Sequence, residues 1–429
     1  MNILMVTNTY APHVGGVARS VVSFTAEYRR LGHRVLVVAP QFEETPAYET
    51  DVVRIPAIQK FNGSDFSVPV PAPIFLANTI DEFQPAIVHS HHPFLLGDTG
   101  LRIAARRCVP IVFTHHTRYD QYTHYVPGDS PLLQRFAVEL ATGYANLCDT
   151  VIAPSQSIAQ LLRSENVESP IEVIPTGVDV ARFGHGNGMA VRDAWGIPRT
   201  AFVVGHVGRL AVEKNLPFLT RAVAVFLQQC SQAHFVIAGT GPAQQEVERI
   251  FAEAGVTSRC HLIGQRMHQD LVDAYHSFDV FAFASQSETQ GMVLTEAMAA
   301  GVPAVAVDAS GVREVLEDRC NGRLLVREDA TEFAAALTWI ANLNDSQRSQ
   351  VRERVLATAE RFSLPRMAAQ SVRLYETLCE KGPMNKTPGD GLWAMAIRRF
   401  QEEWRIWSNV AGALGAAIAS NGSSEPNAP

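Results

Sequence analysis

Two carboxylates and the backbone between them are the leading candidates for a binding or catalytic site in this sequence. In FAFASQSETQGMVLTEAMAAG, Glu288 lies in a polar loop after an apolar run, and Glu296 follows eight residues later. A helix beginning near Gly291 would separate them by about 12 Å, more than the roughly 5–5.5 Å between the carboxyl groups of a retaining glycosidase. We therefore predict separate acceptors for two sets of hydroxyl groups, with the N–H groups of Gly291, Met292 and Val293 available to a phosphate. The alternative is a helix-capping acid followed by a surface acid.

A pair of cations follows another apolar run. In GHVGRLAVEKN the predicted strand ends at Val207, and Arg209 and Lys214 lie in the loop behind it. Two cations beside the start of a helix predict a clamp for a diphosphate. The alternative is that both are solvated surface charges.

Paired glycines, Gly15 and Gly16, close the loop after the first predicted strand in NTYAPHVGGVARS. A glycine has no Cβ, so it lets a ligand approach the backbone closely. The spacing is not G-x-G-x-x-G, so the dinucleotide-binding fingerprint is absent. An ordinary glycine turn is the alternative.

Histidines collect after two further predicted strands, in IVHSHHPFLLG and VFTHHTRYDQYTHY. They are His89, His91, His92, His115, His116 and His124. Clustered histidines can hold a metal, but no cysteine or carboxylate pattern supports a metal site here. Imidazoles also bind hydroxyl groups and phosphate, which is the interpretation we favour.

The elements that must position these residues alternate along the chain. Short apolar runs without strict alternation predict strands of parallel sheets that are buried on both faces. The first set covers residues 3–6, 35–39, 86–89, 111–114, 151–153 and 171–174. The second set covers residues 202–207, 235–238, 261–264, 280–284 and 304–307. Helix-length segments separate the runs, so the sequence predicts two α/β domains with doubly wound parallel sheets, joined by a connector over residues 175–198.

Composition limits the class of protein. The chain has 429 residues, of which 47% are hydrophobic and 18% are charged, as is typical of a globular protein of two domains. A formal net charge of −7 argues against a broad nucleic-acid-binding surface. The six cysteines show no C-x-x-C spacing, which indicates reduced thiols. We find neither a signal peptide nor an apolar run of about 18 residues, and therefore expect a cytoplasmic protein.

In order along the chain, the strand-to-helix junctions resemble those of the retaining nucleotide-sugar glycosyltransferases of family 4. The most specific element is the acidic pair in SETQGMVLTEAMAAGVPAVA, supported by HVGGVARS, THHT, VIPTGVD, GHVGRLAVEKN and IAGTGP. The resemblance covers about residues 1–375. It implies the α/β class with the GT-B fold, in which two Rossmann-like doubly wound parallel-sheet domains face each other.

The resemblance also implies roles. Glu288 would contact the donor hexose and Glu296 the ribose. Arg209 and Lys214 would hold the diphosphate and stabilise its departing charge without a metal. His116 would lie near the reacting carbon, where a front-face displacement would retain the anomeric configuration without an enzymic nucleophile. No cofactor is implied beyond the nucleotide sugar, which is a co-substrate.

The implied residues fall into three groups. The catalytic group is His116, Glu288, Arg209 and Lys214. The donor-binding group is Gly15, Gly16, Arg209, Lys214, Glu288, Gly291, Met292, Val293 and Glu296. The acceptor-side group is His115, Tyr119 and His124, with His115 also the second choice for the histidine near the reacting carbon.

The segments HHPFLLG and FTHHTRYDQYTHYVP look like those of bacterial diacylglycerol glucosyltransferases. That subgroup implies UDP-glucose as donor, a lipid acceptor and peripheral contact with the inner membrane face. Related enzymes mannosylate phosphatidylinositol from GDP-mannose, and the further alternatives are a soluble sugar acceptor or a non-catalytic nucleotide-sugar-binding protein. The N-terminal half is not visibly basic, although anionic lipid favours Lys and Arg. Its candidate basic patches are Arg102, Arg106 and Arg107, and Arg29, Arg30 and Arg34.

The expected domains are residues 1–190 on the acceptor side and residues 199–362 on the donor side. A helix over residues 363–380 would cross back to the first domain, and residues 381–429 would form a linker and an amphipathic tail. Apolar side chains recur in that tail at helical spacing: Trp393, Ile397, Phe400, Trp404 and Trp407. Such a helix would lie in a membrane interface, or pack on the protein or on a second subunit.

Overall fold

The computed structural model describes residues 1–13, 15–59, 68–69, 73–119, 131–286, 288–383 and 392–421. The chain divides into two compact units. The first unit comprises Met1–Pro175 and Met367–Pro429, and the second comprises Thr176–Arg366. The chain therefore leaves the first unit at the start of the expected connector.

The first unit is built on parallel strands. Its strands in the described residues are β1 (Asn2–Val6), β2 (Arg34–Pro40), β3 (Val52–Ile55), β4 (Ala57–Ile58), β5 (Val68–Pro69), β6 (Ile87–Ser90), β7 (Ile111–Thr114), β8 (Thr150–Ala153) and β9 (Ile171–Val173). Seven of these form a parallel sheet in the order β3-β2-β1-β6-β7-β8-β9, whereas β4 and β5 form an antiparallel pair. Ile3, Leu4 and Met5 in β1 are fully buried, as expected for a sheet covered on both faces.

Five helices connect these strands in the described residues. They are α1 (Gly16–Arg30), α2 (Pro73–Phe83), α3 (Leu96–Arg107), α4 (Pro131–Leu147) and α5 (Gln156–Ser164). Apolar residues recur at helical spacing, so that α1 buries Val21, Phe24 and Tyr28 along one side. Helix α5 begins at a cap, because the Ser155 hydroxyl accepts a hydrogen bond from the Ile158 N–H at 3.2 Å.

The second unit repeats this plan. Its strands are β10 (Phe202–Val207), β11 (Ala233–Ala238), β12 (Cys260–Gly264), β13 (Val280–Phe283), β14 (Ala304–Val307) and β15 (Gly322–Leu325). They form a parallel sheet in the order β12-β11-β10-β13-β14-β15. Its helices in the described residues are α6 (Val180–Phe183), α7 (Gly188–Ala194), α8 (Leu216–Gln229), α9 (Gln244–Glu253), α10 (His268–His276), α11 (Met292–Ala299), α12 (Ala330–Ala341) and α13 (Asp345–Arg361).

The segment expected as a connector is itself structured. It contains α6 and α7, which begin where the side chains of Asp179 and Asn187 accept hydrogen bonds from backbone N–H groups at 3.0 and 3.2 Å. Helix α7 packs on α10, and α6 packs on α11. Residues 176–190, placed with the first domain from the sequence, thus pack within the second unit.

Both sheets have a point at which the winding reverses. Strand β1 lies between β2 and β6, and strand β10 lies between β11 and β13. Ligands of open parallel sheets bind beyond the carboxyl ends of the strands at such a point. The segments found there are residues 7–13, 15–16 and 91–95 in the first unit, and residues 208–215, 284–286 and 288–291 in the second. These segments carry the glycine pair, two of the clustered histidines (His91 and His92), the two cations and Glu288.

Two C-terminal helices complete the first unit: α14 (Leu364–Lys381) and α15 (Leu392–Asn421). Helix α14 is anchored by Tyr375, whose hydroxyl lies 2.7 Å from His89 Nδ1 and 3.0 Å from the Tyr28 hydroxyl. Helix α15 packs along α3 and α4. No helix in the described part of the chain is long and apolar enough to cross a membrane. All six cysteines are free.

Strands β3 and β15 were not predicted from the sequence. Each lies at an edge of its sheet, where one side has no neighbouring strand among the described residues. Their residues are only partly buried at two or more positions, and their sequences, VVRI and GRLL, each include an arginine. An edge strand needs less apolar surface than a central one, so its sequence signal is weak.

Candidate active site

In the second unit, two residues that the sequence predicted to belong to the site are in direct contact. One is a cation that follows β10, and the other is a carboxylate that follows β13. Lys214 ends a short 3₁₀ turn before α8, and its ammonium forms an ion pair with Glu288. The side chains are only 20% and 15% exposed. The Ser285 hydroxyl donates to the Glu213 carbonyl at 3.0 Å, which ties the two loops together. Arg209 lies exposed on the loop that precedes Lys214.

Helix α11 begins at Met292, as predicted, and Gly291 precedes it with a φ of 73°. A side chain at this left-handed position would be strained, so the turn requires glycine. The first-turn N–H groups of a helix have no acceptor within the helix, and they carry a partial positive charge. Met292 and Val293 are partly exposed in this turn, and the binding of a phosphate to their N–H groups stays a prediction.

Glu296 is not a surface acid. Its side chain is 4% exposed, and the Tyr275 hydroxyl donates a hydrogen bond to its Oε2 at 2.8 Å. Tyr275 comes from α10 and is fully buried. A buried carboxylate needs such donors, because leaving it unpaired would cost several kcal/mol (roughly 1–3 for each lost hydrogen bond). Tyr275 therefore fixes the direction of the Glu296 carboxylate.

Gln290 is a site residue that sequence reasoning missed. Its Oε1 accepts from the Thr176 N–H at 2.7 Å, and its Nε2 donates to the Thr176 carbonyl at 2.5 Å. Gln290 is 5% exposed and lies between Glu288 and Gly291 in the chain. It therefore joins the VIPTGVD and SETQG segments, and its place inside the acidic motif was the available signal.

His206, also missed, lies under the same loops. It is fully buried, and its Nδ1 donates to the Ala282 carbonyl at 3.0 Å. Burial lowers its pKa to about 4. The ring is therefore neutral at physiological pH and stacks on Phe281 and Phe283, which joins the ends of β10 and β13.

In the first unit, the glycine pair forms the start of α1. Gly15 is extended, with φ −165°, and Gly16 is the first residue of the helix. A Cβ at Gly15 would lie 3.1 Å from His13 Nε2, whereas one at Gly16 would meet nothing within 4 Å. Neither glycine carries a Cβ at this helix start, and the approach of a ligand to the backbone there stays a prediction.

Asn8 organises the adjoining loop and was not identified from the sequence. Its side chain donates to the Phe94 carbonyl at 3.1 Å and accepts from the Leu96 N–H at 3.2 Å. Its backbone N–H donates to His92 Nδ1 at 3.1 Å. This bond leaves the proton of the neutral His92 ring on Nε2, so the loops after β1 and β6 are held in one arrangement.

Three of the clustered histidines contact one another, because the ring of His91 lies between those of His89 and His116, with centroids 4.1 and 5.2 Å away. His91 Nδ1 and His116 Nε2 lie 2.9 Å apart, so one nitrogen donates and the other accepts. Burial lowers the pKa of both rings well below the usual value. Burial also lowers the pKa of His89 and of His92 to about 3. These rings are neutral at physiological pH and can exchange hydrogen bonds, but they do not supply positive charge.

Tyr119 packs against this cluster. Its ring lies edge-on to Phe94 and His115, with centroids 6.0 and 5.5 Å apart. Burial raises the pKa of Tyr119, so its hydroxyl remains protonated. His124 lies outside the described residues. No group of three histidine, cysteine, aspartate or glutamate side chains is arranged to hold a metal ion in the part of the chain that the structure describes.

Two family models match the chain. The model described as Glycosyltransferase Family 4 matches residues 14–182, and the model described as Glycosyl transferases group 1 matches residues 190–355. Together they cover the loops described above except for residues 7–13.

Three characterised relatives align over most of their length. Alpha-monoglucosyldiacylglycerol synthase of Streptococcus pneumoniae is 27% identical over 84% of this chain and 83% of its own. GDP-mannose-dependent alpha-mannosyltransferase of Mycobacterium tuberculosis is 31% identical over 76% of this chain and 84% of its own. D-inositol 3-phosphate glycosyltransferase of Corynebacterium jeikeium is 32% identical over 69% and 73%.

Solved structures share the fold. HepE of Anabaena, solved in complex with UDP-glucose, superposes with a TM-score of 0.68 at 20% identity, covering 88% of this chain and 100% of that one. Sucrose-phosphate synthase of Thermosynechococcus elongatus gives a TM-score of 0.72 at 19% identity, covering 89% and 99%. The predicted GT-B class, with its two Rossmann-like parallel-sheet domains, is confirmed.

Proposed function

Because this chain belongs to glycosyltransferase family 4, we propose that it transfers a hexose from a nucleotide sugar, with UDP-glucose favoured, to a lipid acceptor such as 1,2-diacylglycerol. The observation that carries this proposal is the Lys214–Glu288 ion pair at the carboxyl ends of β10 and β13. An ammonium can bind an anion and a carboxylate can accept hydrogen bonds from hydroxyl groups, and in this pair the two are neighbours. A nucleotide sugar presents both a diphosphate and sugar hydroxyls.

The donor would use both members of this pair. Lys214 and Arg209 would bind the diphosphate, with the N–H groups of Met292 and Val293 adding partial positive charge. Glu288, once Lys214 turns to phosphate, would accept hydrogen bonds from the hexose. Glu296, held by Tyr275, would accept from the ribose hydroxyls. The two carboxylates would thus bind different parts of the donor, as the spacing of the motif predicted.

The chemistry is proposed to retain the anomeric configuration and to need no metal. The sugar of UDP-glucose is α-linked, and the names of the S. pneumoniae and M. tuberculosis relatives specify alpha products. Negative charge develops on the departing diphosphate, where Lys214 and Arg209 would stabilise it electrostatically. His116 would lie near the reacting carbon, and a front-face displacement needs no enzymic nucleophile. Gly15 and Gly16 would let the substrate approach the start of α1.

The acceptor side favours a neutral hydroxyl compound. His116 and its partner His91 are uncharged at physiological pH because burial lowers both pKa values, and the Tyr119 hydroxyl keeps its proton. Such groups hydrogen-bond a hydroxyl well but do not neutralise a phosphate. Diacylglycerol presents one free hydroxyl, and the S. pneumoniae relative is named for a diacylglycerol product. We propose a peripheral position at the inner membrane face for the same reason.

A second candidate has its own support. The GDP-mannose-dependent and inositol phosphate relatives are 31% and 32% identical to this chain, more than the diacylglycerol synthase at 27%. The alternative is therefore transfer from GDP-mannose, or from another nucleotide sugar, to a phosphatidylinositol-type lipid or a soluble sugar acceptor. A non-catalytic nucleotide-sugar-binding protein is the remaining alternative.

Nucleotide release tests these candidates directly. UDP-glucose and GDP-mannose are supplied in parallel without added metal, with diacylglycerol vesicles, phosphatidylinositol vesicles or inositol phosphate. We expect UDP release that depends on diacylglycerol. Release from GDP-mannose with either inositol compound would favour the second candidate. No release from either donor with any acceptor, together with donor binding, would favour the non-catalytic protein.

A further inference from the structure

Helix α15 presents an unusual outer face. Trp404 and Trp407 are each 66% exposed, and Leu414 is 51% exposed. Offsets of three and seven residues place these side chains on one side of a helix. On the other side, Ile406 and Ala413 are buried at 5% and 3% exposure. We call the set Trp404, Trp407 and Leu414 the tryptophan face.

The helix that carries this face is fixed to the first unit. Arg102 of α3 forms an ion pair with Glu403 at 2.6 Å. The Asn409 side chain donates to the Leu140 carbonyl of α4 at 3.2 Å, and a Cβ at Gly143 would lie 1.6 Å from Asn409 Oδ1. The absence of a side chain at Gly143 thus admits the helix closely. The tryptophan face therefore lies on a helix that is held against α3 and α4.

An apolar cavity adjoins the face. It has a volume of about 410 Å³, and Trp404 forms part of its wall together with Glu402 and Arg405. The rest of the wall is mainly aliphatic, with Leu101, Ala104, Val109, Ile111 and Leu147 among its residues, but it also includes the polar side chains of Asp149 and Gln401. One carboxylate oxygen of Glu402 has no hydrogen-bond donor among the described residues, although the side chain is 7% exposed. The aliphatic part of the wall suits a hydrocarbon chain, and the Glu402 carboxylate can accept a hydrogen bond from a hydroxyl group at the end of such a chain.

The C-terminal half of helix α15 carries no charge of its own. Residues 406–421 include no charged side chain. On α3, Arg106 and Arg107 both pair with Asp81, and Arg102 pairs with Glu403. The three arginines considered above as a basic patch thus share two carboxylates, which offset most of the positive charge of the patch.

The exposed area of the tryptophan face is small for a dimer interface, which favours a lipid surface over a second copy of the chain as its partner. A tryptophan buries roughly 150–250 Å² when fully covered, so the three side chains present on the order of 300–400 Å². A stable dimer takes about 800 Å² from each partner. Tryptophan rings that are apolar at one end and can hydrogen-bond at the other are favoured at the level of lipid headgroups.

We propose that the tryptophan face docks the first unit on a lipid bilayer, with an acyl chain of a bilayer lipid entering the cavity beside Trp404. The proposal rests on the proposed function, because a lipid acceptor must be met at a membrane. Docking depends on apolar contact and not on anionic headgroups. The helix lies on the surface, in keeping with the absence of a spanning helix among the described residues.

Vesicle binding of the full-length protein tests the proposal. Wild type and the double variant Trp404→Gln/Trp407→Gln are sedimented with phosphatidylcholine vesicles and with vesicles that also contain phosphatidylglycerol. We expect wild type to bind both, with less than about threefold weakening in roughly 0.5 M salt, where the Debye length is only a few Å. The double variant should bind at least about tenfold more weakly to both, because it loses most of the apolar area.

Trp195→Gln supplies a matched control, since Trp195 is 38% exposed on the second unit and should not affect binding. Two results would overturn the proposal: equal vesicle binding by the double variant and wild type, or a wild-type dimer that the double substitution dissociates. Activity towards a short-chain diacylglycerol in detergent separates this proposal from the proposed function. If the tryptophan face serves only to bind the membrane, the double variant should be fully active towards the short-chain diacylglycerol in detergent. If wild type is inactive in that assay, the result counts against the proposed function, and the vesicle-binding result still tests the membrane proposal.

Discussion

Replacing Lys214 with alanine separates the stability of the donor loops from their catalytic role. The ammonium is bonded to Glu288, and the two side chains are 20% and 15% exposed. Two unit charges about 4 Å apart attract by roughly 4 kcal/mol at an effective dielectric constant near 20. Partial exposure and the regained solvation of Glu288 reduce this value. We expect Lys214→Ala to lower the free energy of unfolding by about 1–3 kcal/mol.

The effect on turnover should be larger. If Lys214 stabilises the departing diphosphate, its removal should lower kcat by about a hundred- to a thousandfold, as for the loss of one donor to a developing oxyanion. In the double variant Lys214→Ala/Glu288→Ala, no carboxylate is left unpaired, so about 1–2 kcal/mol of stability should return. Turnover should not return, because the cation is still missing.

The assay pairs chemical denaturation with nucleotide release under saturating donor. Arg199→Ala is the matched control, because Arg199 forms an exposed ion pair with Asp193 in the same unit at 2.8 Å. It should leave turnover unchanged. Turnover within threefold of wild type in Lys214→Ala, or activity that recovers together with stability in the double variant, would refute the reasoning.

Three further predictions follow from single contacts. Tyr275→Phe removes the donor to Glu296 and should raise the donor KM about tenfold with little change in kcat, whereas an unchanged KM would contradict a ribose contact. His91→Phe removes the ring bonded to His116 and should lower kcat by about tenfold at unchanged donor KM, while His91→Asn should restore part of it. The pKa of His206 is lowered to about 4 in the folded state, against about 6.5 when unfolded, so the stability that its neutral ring contributes is complete above pH 6.5 and is lost as the pH falls towards 4. Denaturation of the second unit should show a loss of about 2 kcal/mol between roughly pH 7 and pH 5, and His206→Phe should largely remove this pH dependence.

The central strands could be predicted from the sequence because each must be apolar on both faces. The run over residues 3–6 is an example, and it forms β1 almost unchanged. The edge strands β3 and β15 were not predicted, because an edge position tolerates polar residues. The short helices α6 and α7 were not predicted, because their stability comes from packing on α10 and α11 and not from a long apolar repeat.

The position of the motifs in the loops after the strands could be predicted from the sequence, because consecutive parallel strands end at the same edge of a sheet and the motifs follow those strands directly. The sequence could not determine the partner of each side chain. Lys214 meets Glu288 across 74 residues, and Gln290 meets Thr176 across 114. The sequence also left open whether Glu296 is a surface acid, and whether the side chains of Trp404 and Trp407 point to solvent or into the protein. Only tertiary packing decided these points, because contacts between residues far apart in the chain depend on how the strands and helices are arranged in space.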